Sequence, residues 1–383
     1  MSCCDFDVRD LRAMTRALQL AEQGLFTTTP NPRVGCVILA SDGDLIGEGF
    51  HLRAGQAHAE INALQMAGEK SRGALVYVTL EPCNHQGRTG PCSQALIDAG
   101  VSEVIYAMED PNPLVAGQGI ARLKAAGIRV RGPFLEAQAR SLNIGFIKRM
   151  LTGRPYVRCK LAMSLDGRTA MASGQSQWIT GSEARRDVQK LRAQSCCIVT
   201  GSGTVLADNP ALSVRDPILG PNPRQPLRIV LDSQLRTPLN AQILQKPEHT
   251  ILVSTKAVKS HGEAIVWTLT STASHTEHGV DLLKLLQKLG KEQHNDVLLE
   301  AGPTLAGAFL QAGLIDEIIV YIAAKLMGSL GRPLFDLPIH QMSDCIDLTL
   351  SGFSPVGGDW RVIARPSNTI DPLAMSDVTI TTE

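Results

Sequence analysis

What most restricts the folding of this chain is an alternation of helical and strand-like apolar periodicity, interrupted once by Thr152-Gly153-Arg154-Pro155. Upstream of that turn signal, residues 7–24 carry helical spacing up to Gly24. Apolar runs at 34–40 and 45–50 flank Ser41-Asp42-Gly43, a hairpin signal. A helix is expected from Ala57 to Gly68, a strand over 74–80, a helix over 93–99 closed by Gly100, and a strand over 102–108. Residues 117–127, 128–131 and 135–151 continue as helix, strand and helix. Downstream the alternation restarts, with strands expected at 156–162, 196–201, 227–232, 250–254, 296–300 and 316–323. Helices are expected there at 182–194, 280–290 and 304–312. Pro217, Pro221, Pro223 and Pro226 make 216–226 an extended loop, and the tail from Pro366 is polar and patternless. Such an order implies layered α/β architecture. At 383 residues the chain also exceeds one ordinary domain of roughly 100–200 residues. The expected division is 1–151, 152–366 and a loose tail, 367–383. The halves share no repeat, so two different activities on one chain are expected.

Charge narrows the function classes. Lys and Arg number 37, as do Asp and Glu, so bulk charge does not favour nucleic acid or an anionic membrane as partner. Aromatic residues are 4%, too few for a platform that stacks single strands. No apolar run reaches about 18 residues, and Met1 to Arg12 is charged where a signal peptide would be apolar. The expectation is a soluble, cytoplasmic protein. Nine cysteines are scattered rather than dense, unlike a disulfide scaffold. Cys36, Cys196 and Cys197 sit in apolar runs and suit a core. Cys3 and Cys4 have no assigned role.

Cys83 and Cys92 differ because of their neighbours. His58-Ala59-Glu60 opens a helix, and Pro82-Cys83 is followed by Cys92. One imidazole and two thiolates are the three protein ligands of a catalytic zinc, whose fourth position takes water. Glu60, two residues from His58, is better placed to take a proton from that water than to ligate. Cys92 precedes a helix, where backbone N–H groups favour a thiolate. The pattern matches the H-x-E and P-C-x-x-C signature of zinc nucleobase deaminases. It departs from it in spacing: eight residues, Asn84 to Pro91, separate the cysteines. A closed structural site would need a fourth ligand; His85 could serve, or it faces a substrate.

The insertion Asn84–Pro91, with Leu80-Glu81-Pro82-Cys83 and Gly87-Arg88-Thr89, resembles the pyrimidine deaminases of riboflavin biosynthesis, which bacteria fuse to a reductase. The resemblance runs from about residue 10 to about residue 365 and includes Asp110-Pro111-Asn112-Pro113 and Ser164-Leu165-Asp166-Gly167-Arg168. It implies a cytidine-deaminase-like three-layer domain followed by a dihydrofolate-reductase-like domain. It also implies one Zn2+ per chain, NADPH, and small phosphorylated pyrimidines as substrates. The first domain would remove one amino group of a diaminopyrimidinone ribosylamine phosphate as ammonia. The ligands would be His58, Cys83 and Cys92, with Glu60 moving the protons. Asn31, His51, His85 and Arg88 would hold the substrate. Asn31 between two prolines also suits a plain turn, and Arg88 a solvated loop.

The second half lacks G-x-G-x-x-G after a strand. Two glycine turns, Thr200-Gly201-Ser202-Gly203-Thr204 and Glu300-Ala301-Gly302-Pro303-Thr304, suit an anion or simply join strand to helix. The resemblance implies reduction of the ribosyl side chain to ribityl. Its cofactor contacts would be Ala162, Trp178, Thr204, Asp208, Ser233 and Gly302, Pro303, Thr304, Leu305, Ala306, Gly307 and Ala308. Its substrate contacts would be Ser176, Arg192, Leu212, Arg215 and Glu300. Arg192 and Arg215 are expected to fork onto a phosphate. Lys160 and Asp166 would help polarise the sugar carbon. Trp178 suits either a flat cofactor ring or a core. A homo-oligomer is implied as well. The competing reading is a zinc deaminase of another substrate class, RNA editing included, with an inactive or differently employed reductase-like half.

Overall fold

In the computed structural model, residues 6–84, 90–113, 115–270 and 279–367 are described. The chain divides into two compact units, one ending at Gly153 and the other beginning at Arg154.

The first unit is built on a five-stranded sheet of order β2-β1-β3-β4-β5. Its strands are β1 (Gly35–Leu39), β2 (Leu45–Phe50), β3 (Leu75–Val78), β4 (Glu103–Tyr106) and β5 (Arg129–Arg131). β1 runs antiparallel to β2 and β3, while β3, β4 and β5 are parallel. The helices are α1 (Val8–Gln23), α2 (Ala59–Ala67), α3 (Cys92–Ala99), α4 (Gln118–Ala125), α5 (Glu136–Leu142) and α6 (Ile144–Thr152). Every residue of β1 is buried, so both sheet faces are covered. A Cβ on Gly35 would overlap the Ala17 carbonyl of α1. A Cβ on Gly49, paired with the next residue Cys36, would press on the Ala59 carbonyl of α2. Neighbouring strand positions face opposite ways, so α1 and α2 cover opposite faces, giving three layers. Missing side chains let α2 lie close to the sheet.

The single helix expected over 135–151 is two. Asn143 interrupts it, its side chain accepting from the Arg33 N–H (2.8 Å) and donating to the Arg33 carbonyl (3.0 Å).

The second unit holds a ten-stranded sheet of order β10-β11-β9-β8-β7-β12-β6-β13-β15-β14. The strands are β6 (Tyr156–Ser164), β7 (Cys197–Gly201), β8 (Leu227–Leu231), β9 (Thr250–Ser254), β10 (Ser260–His261), β11 (Ala264–Thr268), β12 (Asp296–Leu299), β13 (Glu317–Ala323), β14 (Leu348–Val356) and β15 (Asp359–Pro366). Its helices are α7 (Ser182–Gln194), α8 (Ser202–Asp208), α9 (Leu282–Lys291) and α10 (Pro303–Gln311). From β11 to β13 all neighbours are parallel. Cys197, Val199, Val297 and Leu299 enter one core cluster, and the intervening Ile198 and Leu298 another, as expected of strands buried on both faces. The hairpin β14–β15, strand β11 and the short α8 were not expected from the sequence. β14 alternates in burial only from Ser351 onward, and Gly352 lies at a register shift in it. Parallel order places the carboxyl ends of β6, β7, β8 and β12 along one edge, the usual binding edge of such sheets.

Candidate active site

In the first unit, α2 starts one residue after His58 and α3 starts at Cys92. His58 Nδ1 lies 3.3 Å from Cys92 Sγ and 3.6 Å from Cys83 Sγ. The three donor atoms all lie within 4.8 Å of one another. Zinc bonds of about 2.3 Å to sulfur and about 2.0–2.1 Å to nitrogen span such separations, so the expected ligand set is brought together and fits the ion. Glu60, in the first turn of α2, is buried. Burial, with the Cys83 charge beside it, pushes its carboxyl up to about 7. The hydrogen bond from Cys92 lowers the pKa of the Cys83 thiol and favours its thiolate.

Asn31 and His51 also meet. Asn31 Nδ2 lies 3.0 Å from His51 Nε2, and His51 Nδ1 lies 3.0 Å from the Ala57 carbonyl. That carbonyl can only accept, so Nδ1 donates and Nε2 accepts from the Asn31 amide. Burial lowers the pKa of His51, which suits this neutral form. The Asn31 amide oxygen takes no part in the pair. The His51 and His58 rings meet edge to face, 5.2 Å apart. His85 and Arg88 lie outside the described residues.

The sequence reading left Glu81 and Arg122 without roles. The buried Glu81 carboxylate accepts from the amides of Asp110, Gly117, Gly119 and Ile120 at 2.8–3.2 Å. Arg122, on α4, donates to the side chains of Asn84 (2.9 Å) and Gln94. An acid directly before Pro82-Cys83 was a signal for the first; nothing local distinguishes Arg122 from a solvated helix charge.

In the second unit the expected residues gather along the carboxyl edge. Lys160 and Ala162 lie on β6, Thr204 and Asp208 on α8, Ser233 after β8, and Glu300 and Gly302 after β12. The Arg192 fork meets Glu300, at 2.6 Å from Nε and 2.9 Å from Nη2, rather than standing open for a phosphate. Burial raises the Glu300 pKa, yet Arg192 and Lys160 hold it below the usual carboxylate range. Burial lowers the pKa of Lys160. Ser176 Oγ donates to Asp208 (2.8 Å). Trp178 is 61% exposed, so it is no core residue; the Arg185 guanidinium lies over its ring. Leu212 is buried, Arg215 is exposed, and the Ser233 carbonyl accepts from Ser254 and Thr255. The Asp166 carboxylate accepts from Ser164 Oγ and from the Met327 and Gly328 amides, which hold it at about 2. It fastens a loop, an engagement the sequence did not suggest. Cβ atoms built on Gly203 and Gly302 would meet nothing within 4 Å, so the space before both glycine turns is open to a phosphate-bearing cofactor. Within α10, Pro303, Thr304 and Leu305 form the first turn, whereas Ala306 and Gly307 are buried and Ala308 is half-buried.

Comparisons with known proteins agree with both units. Residues 8–108 match the cytidine and deoxycytidylate deaminase zinc-binding region, and residues 155–362 the RibD C-terminal domain. Riboflavin biosynthesis protein RibD of Escherichia coli is 53% identical over 362 residues, covering 92% of this chain and 98% of the relative. The solved RibD of Acinetobacter baumannii superposes with a TM-score of 0.86 at 46% identity, covering 94% of this chain and 99% of the other. The Thermotoga maritima diaminohydroxyphosphoribosylaminopyrimidine deaminase/5-amino-6-(5-phosphoribosylamino)uracil reductase gives 0.83 at 30% identity, with the same coverage.

Proposed function

The chain belongs to the RibD family of riboflavin biosynthesis, and from that premise we propose how its residues divide two consecutive reactions. It is a bifunctional enzyme, a zinc-dependent deaminase and an NADPH-dependent reductase. The alternative, a deaminase of another class with an idle second half, is not favoured, because relatives match both halves together.

We assign deamination to residues 1–151 and reduction to 152–366. His58, Cys83 and Cys92 hold the zinc, an assignment carried by their convergence beside a buried carboxylate. When bound, zinc brings a water in its open position to a pKa of about 7. Glu60 would take one proton of the attacking water and give it to the ring nitrogen of 2,5-diamino-6-(5-phospho-ribosylamino)pyrimidin-4-one as the oxygen joins the amine-bearing carbon; it would then carry the second proton from the new hydroxyl to the amino group, which leaves as ammonia while the carbonyl forms. Asn31, oriented by His51, reads the base; His85 and Arg88 complete substrate binding by resemblance alone.

NADPH supplies the hydride for C1′ of the ribosyl group of 5-amino-6-(5-phosphoribosylamino)uracil. The first turn of α10, with Thr204, Asp208 and Ser233, would hold the cofactor, and the exposed Trp178 would offer it a flat ring. Ser176, Leu212 and Arg215 would hold the sugar phosphate, and Glu300, fixed by Arg192 and with Lys160 beside it, would accept from the sugar hydroxyls or the base. Catalysis here is chiefly placement of donor against acceptor carbon. Among the described residues no helix is long and apolar enough to cross a membrane; we place the enzyme in the cytoplasm, as a homo-oligomer.

Ammonia release, NADPH oxidation and zinc content test the whole reading, in wild type and Glu60→Gln. Wild type should release ammonia and oxidise NADPH, with about one zinc per chain. Glu60→Gln should keep its zinc, lose deamination by at least about 100-fold, and still reduce supplied deaminated intermediate. Deamination at near wild-type rate would remove Glu60 from the proton path. No ammonia from zinc-loaded wild type would remove the substrate assignment.

A further inference from the structure

The geometry points to Arg122 as a positioning residue of the zinc site, which clamps the two ends of the Cys83–Cys92 segment. This inference rests on the ligand set proposed above. In the short form of the motif, two intervening residues keep the cysteines together. Here eight residues intervene, and a longer loop costs more entropy to close. Residues outside the loop can offset that cost by holding its ends.

Helix α4 does so at three points. Glu81 gathers the amides of Gly117, Gly119 and Ile120, where α4 begins. A Cβ on Gly119 would overlap the Pro82 carbonyl, so this first turn lies directly against the peptide leading to Cys83. Three residues on, and therefore on the same helix face, Arg122 extends its fork. Nη1 donates to Asn84 Oδ1, next to Cys83, at 2.9 Å; Nη2 donates to Gln94 Oε1, two residues after Cys92. Asn84 Oδ1 also accepts from Ser93 Oγ (3.0 Å), and Ser93 N donates to the Cys83 carbonyl (3.1 Å). One planar guanidinium thus bridges the residues flanking both thiolate ligands. Lysine carries its donors on one rotatable nitrogen and cannot span two acceptors in the same fixed geometry.

The test is competition for zinc between the full-length protein and a chromogenic chelator, with metal-free thermal unfolding as control. Arg122→Ala should weaken zinc binding by about 10–100-fold, the usual cost of losing an outer-shell partner. Arg122→Lys should recover only part of that loss. Gln94→Ala, a change well suited to a helix, removes one end of the clamp and should weaken zinc binding too. The double variant Arg122→Ala/Gln94→Ala should be no worse than Arg122→Ala beyond about twofold, since both act through one contact. The metal-free unfolding temperature should not move. Zinc affinity within twofold of wild type in both single variants would overturn the inference, as would a parallel loss of metal-free stability. Should Arg122→Ala fail to fold, Gln94→Ala decides alone. Wild-type protein that binds no zinc would instead overturn the ligand set itself.

Discussion

Glu300 carries a charge at the end of β12 under conditions that ordinarily forbid one. Its side chain is 9% exposed, and burial by itself would favour the neutral acid. The two-point bond from Arg192 and the charge of Lys160 reverse that, and the folded-state pKa lies below the ordinary value. As pH falls, the unfolded chain therefore takes up this proton first. The stability held in the pair is complete above about pH 4.3, the unfolded value, and is lost as pH drops through the lower folded value. Glu300→Gln should be less stable at neutral pH, because Arg192 is left buried without its partner. Its unfolding temperature should also fall less steeply below about pH 4.3 than that of wild type; equal slopes for the two proteins would show that Glu300 does not titrate this way. At this scale the sequence was legible wherever the chemistry demands particular residue types. The convergence of His58, Cys83 and Cys92 beside a buried Glu60 could be anticipated because few other side chains suit zinc or the movement of its protons. The engagements of Arg192 with Glu300 and of Asp166 with the Met327 and Gly328 amides could not be read. Their partners lie 108, 161 and 162 residues away, and only the fold brings them together.

Elements were legible through periodicity and less so where polar side chains override it. The apolar spacing over 135–151 continues as if for one helix, yet the chain breaks at Asn143. The break serves the segment before β1: the buried Asn143 amide pairs with both backbone groups of Arg33, two residues after Asn31. No local signal announces a partner 110 residues distant. The β14–β15 hairpin escaped notice for the opposite reason: the alternation begun by Leu348 and Leu350 in its outer strand is thrown out of phase by the register shift at Gly352. Asn143→Ala would leave the Arg33 N–H and carbonyl without these partners. At about 0.5–1.5 kcal/mol for each hydrogen bond lost, the cost is on the order of 2 kcal/mol. We expect a lower unfolding temperature for the first unit, together with a raised KM for deamination as the Asn31 segment loosens. NADPH oxidation with supplied deaminated intermediate should be unchanged. An unaltered KM in a destabilised variant would confine Asn143 to a structural role.

For the whole molecule, two compact units with separate core clusters imply that each ligand stabilises its own unit. This organisation was visible in the sequence as one interruption, Thr152 to Pro155, between unlike alternations, because each unit must bury its own apolar faces. A ligand that binds only the native form of one unit raises that unit's stability by RT ln(1 + [L]/Kd), about 2.7 kcal/mol at a hundredfold excess over Kd. Zinc should therefore act on the unit holding His58, Cys83 and Cys92, and NADPH on the unit holding the glycine turns. Scanning calorimetry should resolve two transitions. Chelation of zinc should lower one and leave the other in place, and NADPH should raise the second and leave the first. A single transition that shifts with both ligands would mean that the two units unfold as one cooperative block, in which the loss of either ligand weakens both activities.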